Sequence, residues 1–403
     1  MKKLFFIIKK KGIKHIVLKT IPWYLDFYID KWITFFIKLI CLKSQLQDII
    51  IIESHNDFDS NGGAFFQYLI DKELNKKYKI VWFLRNKKEY NLPDNVEYFF
   101  YEKPSIKKSY YYVVAKYIVC GHQIIPSIRD EQISYYTTHG GFSLKAFKGN
   151  VCIPDNMTYI LAPNSHLHEL LADSYMLDFP NNRMISIGFP VHDILYSNNS
   201  GDLSKLTETQ YKKVILWMPT FRKSVNGRND LKYEQKYGIP IINSIENYEK
   251  LNQLLVKENV LLIIKIHPMQ DLREIKLPSL SHIRILDGKS VKELNIDNYR
   301  LMKDTDALIS DYSSVAYDYL HLDRPIGYTM DDADDYVGFI VDNPQEYIAG
   351  PIIYCYNDLC NFIKSVINNE DLYIVERQKL FNKIWEYKDG NSSHRLAKHM
   401  NLI

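Results

Sequence analysis

Cysteine is scarce in this 403-residue chain and follows no pattern: five residues, at 41, 120, 152, 355 and 360, with no CxxC pair. An odd, irregular set without a secretory leader reads as reduced, cytosolic thiols, mostly core filler, and argues against a disulfide framework. Neither a Walker A sequence nor GxGxxG occurs, which counts against an NTPase and against a nicotinamide enzyme. No long apolar core leads to a small-residue cleavage site, so no signal peptide is expected. Asp26, Asp30, Lys31 and Lys38 interrupt the apolar N-terminal run, which argues against a spanning helix. Repeats of solenoid period and low-complexity tracts are missing as well. The net charge of +3 is too small for a general nucleic-acid binder, so no nucleic-acid partner is expected.

The length exceeds the size at which one hydrophobic core stops growing, and an apolar fraction of 46% is ample for two. Residues 1–44 differ from the rest. Up to residue 43 they hold ten lysines against two aspartates, interleaved with Phe, Ile, Trp and Tyr. This pattern favours a pair of amphipathic helices lying in the membrane plane. Trp23, Phe27, Trp32 and Phe35 would sit at headgroup depth while the lysines meet anionic lipid. The alternative is an N-terminal helix packed on the first domain. Peripheral attachment at the cytoplasmic face of the cell membrane is the expectation.

Beyond residue 44 the chain alternates strand-like and helix-like segments. Short β-branched runs at 48–53, 79–85, 96–100, 117–120, 134–139, 159–164 and 184–188 precede a turn-rich break at 196–202. The alternation resumes at 214–218, 260–267, 282–286, 307–310 and 325–328. Short buried strands separated by helices predict parallel sheets with crossover helices. The expected architecture is α/β, with two Rossmann-like domains at 45–197 and 203–375 facing a cleft, and a C-terminal helix at 376–403 near their junction.

Ligands of such sheets lie beyond the carboxyl ends of the strands. Four segments stand there. In Thr137-Thr138-His139-Gly140-Gly141-Phe142-Ser143-Leu144-Lys145, two glycines let the backbone approach a ligand, His139 reaches the cleft and Lys145 adds charge; a strand-end His is, however, commonly a structural hydrogen-bonder. His267-Pro268 ends the run 260–267, with proline fixing the chain direction. Two strand-end histidines from opposing domains signal more than either alone, since neutral His takes a proton and protonated His stabilises phosphate. In Ala307–Leu320 a strand, a polar turn and a helix starting near Ser313 or Ser314 make an anion site from exposed N–H groups, although Asp311, Ser313 and Ser314 also suit plain capping. Asp311 is better placed to orient the loop than to touch phosphate. Thr220 and Arg222 follow the run 214–218, where an Arg suits bidentate phosphate contact or, more simply, a surface ion pair. Ile187–Asp193 reads as hinge structure.

These residues carry a resemblance. HGGFSLK is similar to HG-T-P-L-K, WMPTFR to A-P-T-W-R, IIKIHP to R-x-H-P, and SDYSSVAYDYLHLDRPIGY to T-D-Y-S-S-x-x-x-D-x-x-x-L-x-x-P-x-x-x-Y, with ESHNDFDSNGGAFFQYL, IGFPVHDIL, GPIIYCYNDL and DGNSSHR in support. The order and spacing resemble the CDP-glycerol glycerophosphotransferases of teichoic-acid and capsule synthesis over roughly residues 48–400. That family implies a GT-B fold, a CDP-glycerol or other CDP-alditol donor, membrane association and a polymeric or lipid-linked acceptor. By motif match His139 and His267 take the catalytic positions. Thr220, Arg222, Ser313 and Ser314 line the donor diphosphate, with Asp311 beside them, and Gly140, Gly141 and Lys145 lie on the acceptor side. One departure stands out: His139 and Lys145 are one residue further apart, with Gly141-Phe142-Ser143 where Thr-Pro is usual, which bears on the acceptor side.

The implied reaction is attack of an acceptor hydroxyl on the alditol-bearing phosphorus, with CMP leaving. His139 as general base would contribute about 10²–10⁴-fold, and His267, Arg222 and the Ser313/Ser314 turn would neutralise phosphate charge; the reverse assignment of the two histidines stays open. No cofactor is indicated. Asp331–Asp335 has the look of a divalent-metal DxD cluster, but an acidic solvated loop is the commoner explanation, and metal dependence stays open. The alternative function is a GT-B nucleotide-sugar glycosyltransferase, told apart by the nucleotide released; a non-catalytic scaffold is the third reading. The compact N-terminal region favours a short-range transferase.

Overall fold

The computed structural model describes residues 16–138, 140–221, 237–270, 277–331 and 338–403. The β-branched runs form two sheets. The first contains β1 (Gln47–Glu53), β2 (Lys79–Leu84), β3 (Val96–Phe100), β4 (Ala115–Cys120), β5 (Ile133–Tyr136), β6 (Tyr159–Leu161) and β7 (Met184–Ile185). Their order is β3-β2-β1-β4-β5-β6-β7 and every pairing is parallel. The second contains β8 (Lys213–Trp217), β9 (Val260–Lys265), β10 (Ile283–Leu286), β11 (Ala307–Ser310), β12 (Ile326–Thr329) and β13 (Ile352–Ile353), ordered β10-β9-β8-β11-β12-β13 and again parallel.

Burial on both faces explains the unbroken apolar strands. In β8, Val214 and Leu216 join one hydrophobic core while Ile215 and Trp217 join another on the opposite face. Leu261 and Ile263 against Leu262 and Ile264 repeat the division in β9, as the two-residue period of a strand requires. In each sheet the strand order reverses once, between β1 and β4 in the first and between β8 and β11 in the second. At that point the crossover helices diverge to opposite faces and leave a crevice at the strand ends.

Several strand limits differ from the sequence expectation, β6 ending at Leu161 and β7 at Ile185 among them. β5 stops at Tyr136, not at residue 139, and β9 stops at Lys265, so His267 lies two residues beyond its strand. The two-residue β13 was not foreseen; it is too short to show a period.

The chain finally returns to the first sheet. The helices Ile374–Ile384 and Ser392–His399 are tied to it by Asn164 Nδ2 to the Lys383 carbonyl (2.9 Å), Glu386 N–H to the Pro163 carbonyl (3.2 Å) and the Tyr135 hydroxyl to His399 Nδ1 (2.9 Å).

At the other end, the helix Ile21–Ile40 has no buried residue. One stripe, at the i, i+4, i+8 spacing of a helix face, docks on the first domain. Asp26 pairs with Lys103 (2.6 Å), Asp30 with Lys108 (2.9 Å), and the Thr34 hydroxyl donates to Ser109 Oγ (2.9 Å). Trp32 and Phe36, 60% and 56% exposed, point away with Tyr28, Ile29 and Phe35. The helix Ile21–Ile40 thus packs on the first domain along one stripe with an aromatic face turned outward, while residues 1–15, which the expected helix pair includes, lie outside the described residues. Among the described residues no helix is long and apolar enough to cross a membrane.

Candidate active site

At the reversal point of the second sheet, β8 leads into Met218-Pro219-Thr220 and β11 into Asp311. Met218 N–H continues the ladder to the Ile309 carbonyl (2.9 Å), and Ser310 Oγ–H closes on the Met218 carbonyl (3.0 Å). The fully buried Asp311 carboxylate then accepts the Thr220 backbone N–H (2.8 Å) and the Thr220 hydroxyl (2.6 Å). Asp311 therefore shapes the loop from within. Ser313 is the N-cap of the helix Ser314–Asp318, in extended conformation and without a side-chain capping bond, so its hydroxyl is not spent on closing the helix end. That helix is short and passes into a 3-10 turn, Tyr319–Leu322, so backbone N–H groups matter here more than a long helix dipole.

The glycine segment of the first domain is bonded directly into the second. Leu144 N–H reaches the Tyr312 carbonyl (3.2 Å), Ala146 N–H the Gly338 carbonyl (3.1 Å), and Ile340 N–H the Leu144 carbonyl (2.8 Å), so Lys145 bridges antiparallel to Phe339. Gly140 has φ +149°, and a Cβ there would lie 2.9 Å from Ser314 Oγ; a Cβ on Gly141 would overlap the Trp385 ring at 2.4 Å. Only glycine allows this approach. Phe142, within the stretch that departs from the family pattern, is buried, stacked on Tyr347 at 5.3 Å and edge-on to Tyr317 at 4.8 Å. The unusual loop thus carries an aromatic anchor into the second domain.

The same contact brings both Lys145 and His267 against Phe221. Lys145 Nζ sits 4.8 Å from the Phe221 ring centroid, and the Phe221 and His267 rings are 5.0 Å apart. Met269 N–H donates to His267 Nδ1 at 3.1 Å. Nδ1 is therefore an acceptor, and the neutral ring carries its proton on Nε2. Lys265, just before it, is 6% exposed, and burial pulls its ammonium down to about 8 against the favourable field of Asp297.

Several expected residues come together: Thr220 with Asp311, Gly140 with Ser314, Lys145 with His267 through Phe221. His139 and Arg222 lie outside the described residues, as do Asp332, Ala333, Asp334 and Asp335 of the acidic run; Asp331 Oδ2 accepts the Ile241 N–H (3.3 Å). Among the described residues no group of three His, Cys, Asp or Glu could hold a metal ion.

Asp318 falls within the Asp-Tyr-Ser-Ser motif but has no role in the sequence reading. It is buried, accepting His192 Nε2–H at 2.8 Å and the Tyr299 hydroxyl at 2.9 Å. Asp193, next to His192 in the chain, caps the C-terminal helix through Ser392 N–H (2.8 Å) and Ser393 N–H (2.7 Å). The segment read as hinge structure therefore touches the donor-side helix and the C-terminal helix at once. The signal available in the sequence was its position as the second acid of the quoted motif, SDYSSVAYDYL.

With this geometry, the chain matches the family described as CDP-Glycerol:Poly(glycerophosphate) glycerophosphotransferase over residues 33–401. The chain belongs to that family. It is a transferase, an enzyme moving an alditol phosphate from a CDP-alditol to a polymer acceptor. Relatives include the teichoic acid poly(glycerol phosphate) polymerase of Bacillus spizizenii, 26% identical over 90% of this chain and 94% of that protein. The teichoic acid ribitol-phosphate polymerase TarK of Staphylococcus aureus is 24% identical over 90% of this chain and 70% of its own length. The solved structure of the wall teichoic acid polymerase TagF superposes with a TM-score of 0.70 at 19% identity, covering 100% of this chain and 98% of that one, which establishes a GT-B-like fold.

Proposed function

We propose that this transferase moves glycerol phosphate, or a related alditol phosphate, onto a hydroxyl of a lipid-linked or polymeric surface acceptor at the cytoplasmic membrane face. The observation that carries the reading is the docking of Gly140–Ala146 into the second domain beside Tyr312, Ser314 and Phe221, which joins an acceptor-side loop to a donor-side turn.

In the proposed step the acceptor oxygen bonds to the alditol-bearing phosphorus, the phosphoanhydride bond to CMP breaks, and the hydroxyl proton passes to a base. His139, by its motif position, is that base. His267 is assigned the other role because its Nδ1 accepts the Met269 N–H, so the neutral ring carries its proton on Nε2, the side that would donate to a phosphate oxygen. Thr220, Arg222, Ser313 and Ser314 bind the diphosphate, Asp311 orients Thr220, and Lys145 adds positive charge. The division of the chain at residues 45, 203 and 376 belongs to the same proposal.

Membrane attachment through the outward aromatic face of Ile21–Ile40 completes it. Trp32→Ser with Phe36→Ser should lower sedimentation with anionic vesicles; unchanged sedimentation removes this part.

The deciding experiment is CMP release by the purified chain given CDP-glycerol or CDP-ribitol, with and without EDTA, beside His139→Ala and His267→Ala. Donor-dependent CMP release lost in both variants supports the reading, and the EDTA arm decides the metal. Release of UDP or GDP from sugar donors instead would establish the glycosyltransferase alternative.

A further inference from the structure

The turn Ser313–Ser314 belongs to the second domain and the segment Thr137–Gly140 to the first, so their spacing depends on what joins the domains behind them. A closed circuit of buried contacts does so. Asn61, in the helix Ser60–Asp71, donates through Nδ2 to the Thr137 carbonyl (3.0 Å) and accepts the Val191 N–H through Oδ1 (3.1 Å). The next residue, His192, follows the last strand of the first sheet and donates from Nε2 to Asp318 Oδ1 at 2.8 Å. Asp318 ends the helix that begins at Ser314, and a Cβ on Gly140, three residues after Thr137, would lie 2.9 Å from Ser314 Oγ. Thr137, Asn61, Val191, His192 and Asp318 are all buried. The circuit leaves the first domain at His192–Asp318 and returns to it at Ser314–Gly140.

The outgoing link is held from several sides. The His192 ring lies 4.0 Å from the His321 ring and edge-on to the Trp385 ring at 4.6 Å, so packing as well as the bond fixes its orientation. Asp318 Oδ2 accepts the Tyr299 hydroxyl at 2.9 Å, which gives each carboxylate oxygen a donor. Tyr299 lies in the helix Asn298–Lys303 of the second domain, so its bond steadies the aspartate without joining the domains. The helix Ser314–Asp318 has only five residues. A helix that short is marginal by itself, so the bond at its last residue also bears on where its first residue lies. A buried polar link contributes little net stability, because desolvation offsets its attraction; its better attested use is to fix one arrangement.

We propose that His192 and Asp318 are positioning residues for the transfer: their bond sets the distance between the acceptor-side segment Thr137–Gly140 and the donor-side turn Ser313–Ser314. Neither residue is assigned a contact with substrate. The inference rests on the alditol-phosphate reading above, in which groups from those two segments meet at one phosphorus. Donor binding is assigned to the second domain, so loss of the link should slow the transfer and leave the affinity for the nucleotide as it was.

His192→Ala cuts the link from the first-domain side and leaves Asp318 its Tyr299 bond. The kcat for CMP release from CDP-glycerol, counted per CDP-binding site, should fall about 10- to 100-fold, as a shift of about 1 Å does, while the Kd of CDP stays unchanged. Counting sites by CDP binding removes the contribution of misfolded protein. His192→Gln, whose amide N–H reaches the Nε2 position, should recover most of the loss. Tyr299→Phe, which cuts only the bond within the second domain, should keep the native kcat. A native kcat per site in His192→Ala, an equal fall in Tyr299→Phe, or weakened CDP binding in place of the kcat loss overturns the proposal. A second measurement needs no turnover. The N–H groups of Leu144 and Ala146, bonded to the Tyr312 and Gly338 carbonyls of the second domain, should exchange with solvent deuterium faster in His192→Ala but not in Tyr299→Phe; unchanged protection in His192→Ala also overturns it. If no CDP-alditol is turned over, the alditol-phosphate reading fails and the exchange measurement alone decides whether this pair sets the spacing.

Discussion

Asp311 accepts both hydrogens that Thr220 offers, the backbone N–H at 2.8 Å and the hydroxyl at 2.6 Å, across the reversal point of the second sheet. The two residues are 91 positions apart and meet because β8 and β11 are neighbours in the sheet. A loop held by two bonds to one buried carboxylate is preorganised, and catalytic positioning of this kind is sensitive to shifts of about 1 Å.

Asp311→Ala should therefore lower kcat/KM for the CDP donor about 10²-fold, while Asp311→Asn, which keeps one accepting oxygen, should lose less. Steady-state kinetics with varied donor at saturating acceptor measures both. Equal activity of Asp311→Ala and the native enzyme would show that Thr220 is not held for the donor.

The occupied Nδ1 of His267 makes the two amide replacements unequal. Glutamine places an N–H near the Nε2 position, whereas asparagine mimics only the Nδ1 side. His267→Asn is expected to lose about 10²–10³-fold in kcat, the effect of one preorganised donor, and His267→Gln distinctly less. The opposite ranking would reverse the role given to this ring.

Gly141 and Trp385 are coupled by contact. A methyl group at 141 would overlap the indole ring, whose Nε1–H donates to the Tyr317 carbonyl at 2.9 Å. Gly141→Ala should cost about 1–3 kcal/mol by overpacking, and the smaller ring of Trp385→Phe should recover part of that loss in the double variant. Urea denaturation of the four proteins of the cycle gives the coupling; strict additivity would mean that the loop moves away from the ring.

Lys265 predicts a pH dependence. Its folded value of about 8 lies below the ordinary lysine value of 10.5 because it is buried. Between pH 8 and 10.5 the unfolded chain binds the proton that the folded chain has released, so this group's contribution to stability rises with pH. The penalty on the folded state is fully present below pH 8, about 3 kcal/mol in size. Lys265→Met should thus gain on the native enzyme at pH 7 and lose that advantage toward pH 10, as read from urea midpoints. A pH-independent difference would mean that the lysine stays charged when folded.

The strands and the motif order could be read from the chain because both are local. Runs such as Ile49–Ile52 and Leu261–Ile264 can bury on two faces only inside a parallel sheet, and the residues around Asp311 name a family by their spacing. The acidic stripe of the N-terminal helix was harder to read. Asp26 and Asp30 read as interruptions of an apolar run, whereas in the fold Lys103 and Lys108 stand opposite them and Ser109 stands opposite Thr34.

By itself, the sequence determined a two-sheet α/β transferase of the CDP-glycerol family, with polar groups at the strand ends. Tertiary structure decided which groups meet: Thr220 with Asp311, Leu144 with Tyr312, Gly141 with Trp385, His192 with Asp318. The reason is physical. Secondary structure follows from short-range periodicity, whereas these contacts depend on strand order and on how two domains and a returning C-terminal helix pack, and no local pattern encodes that.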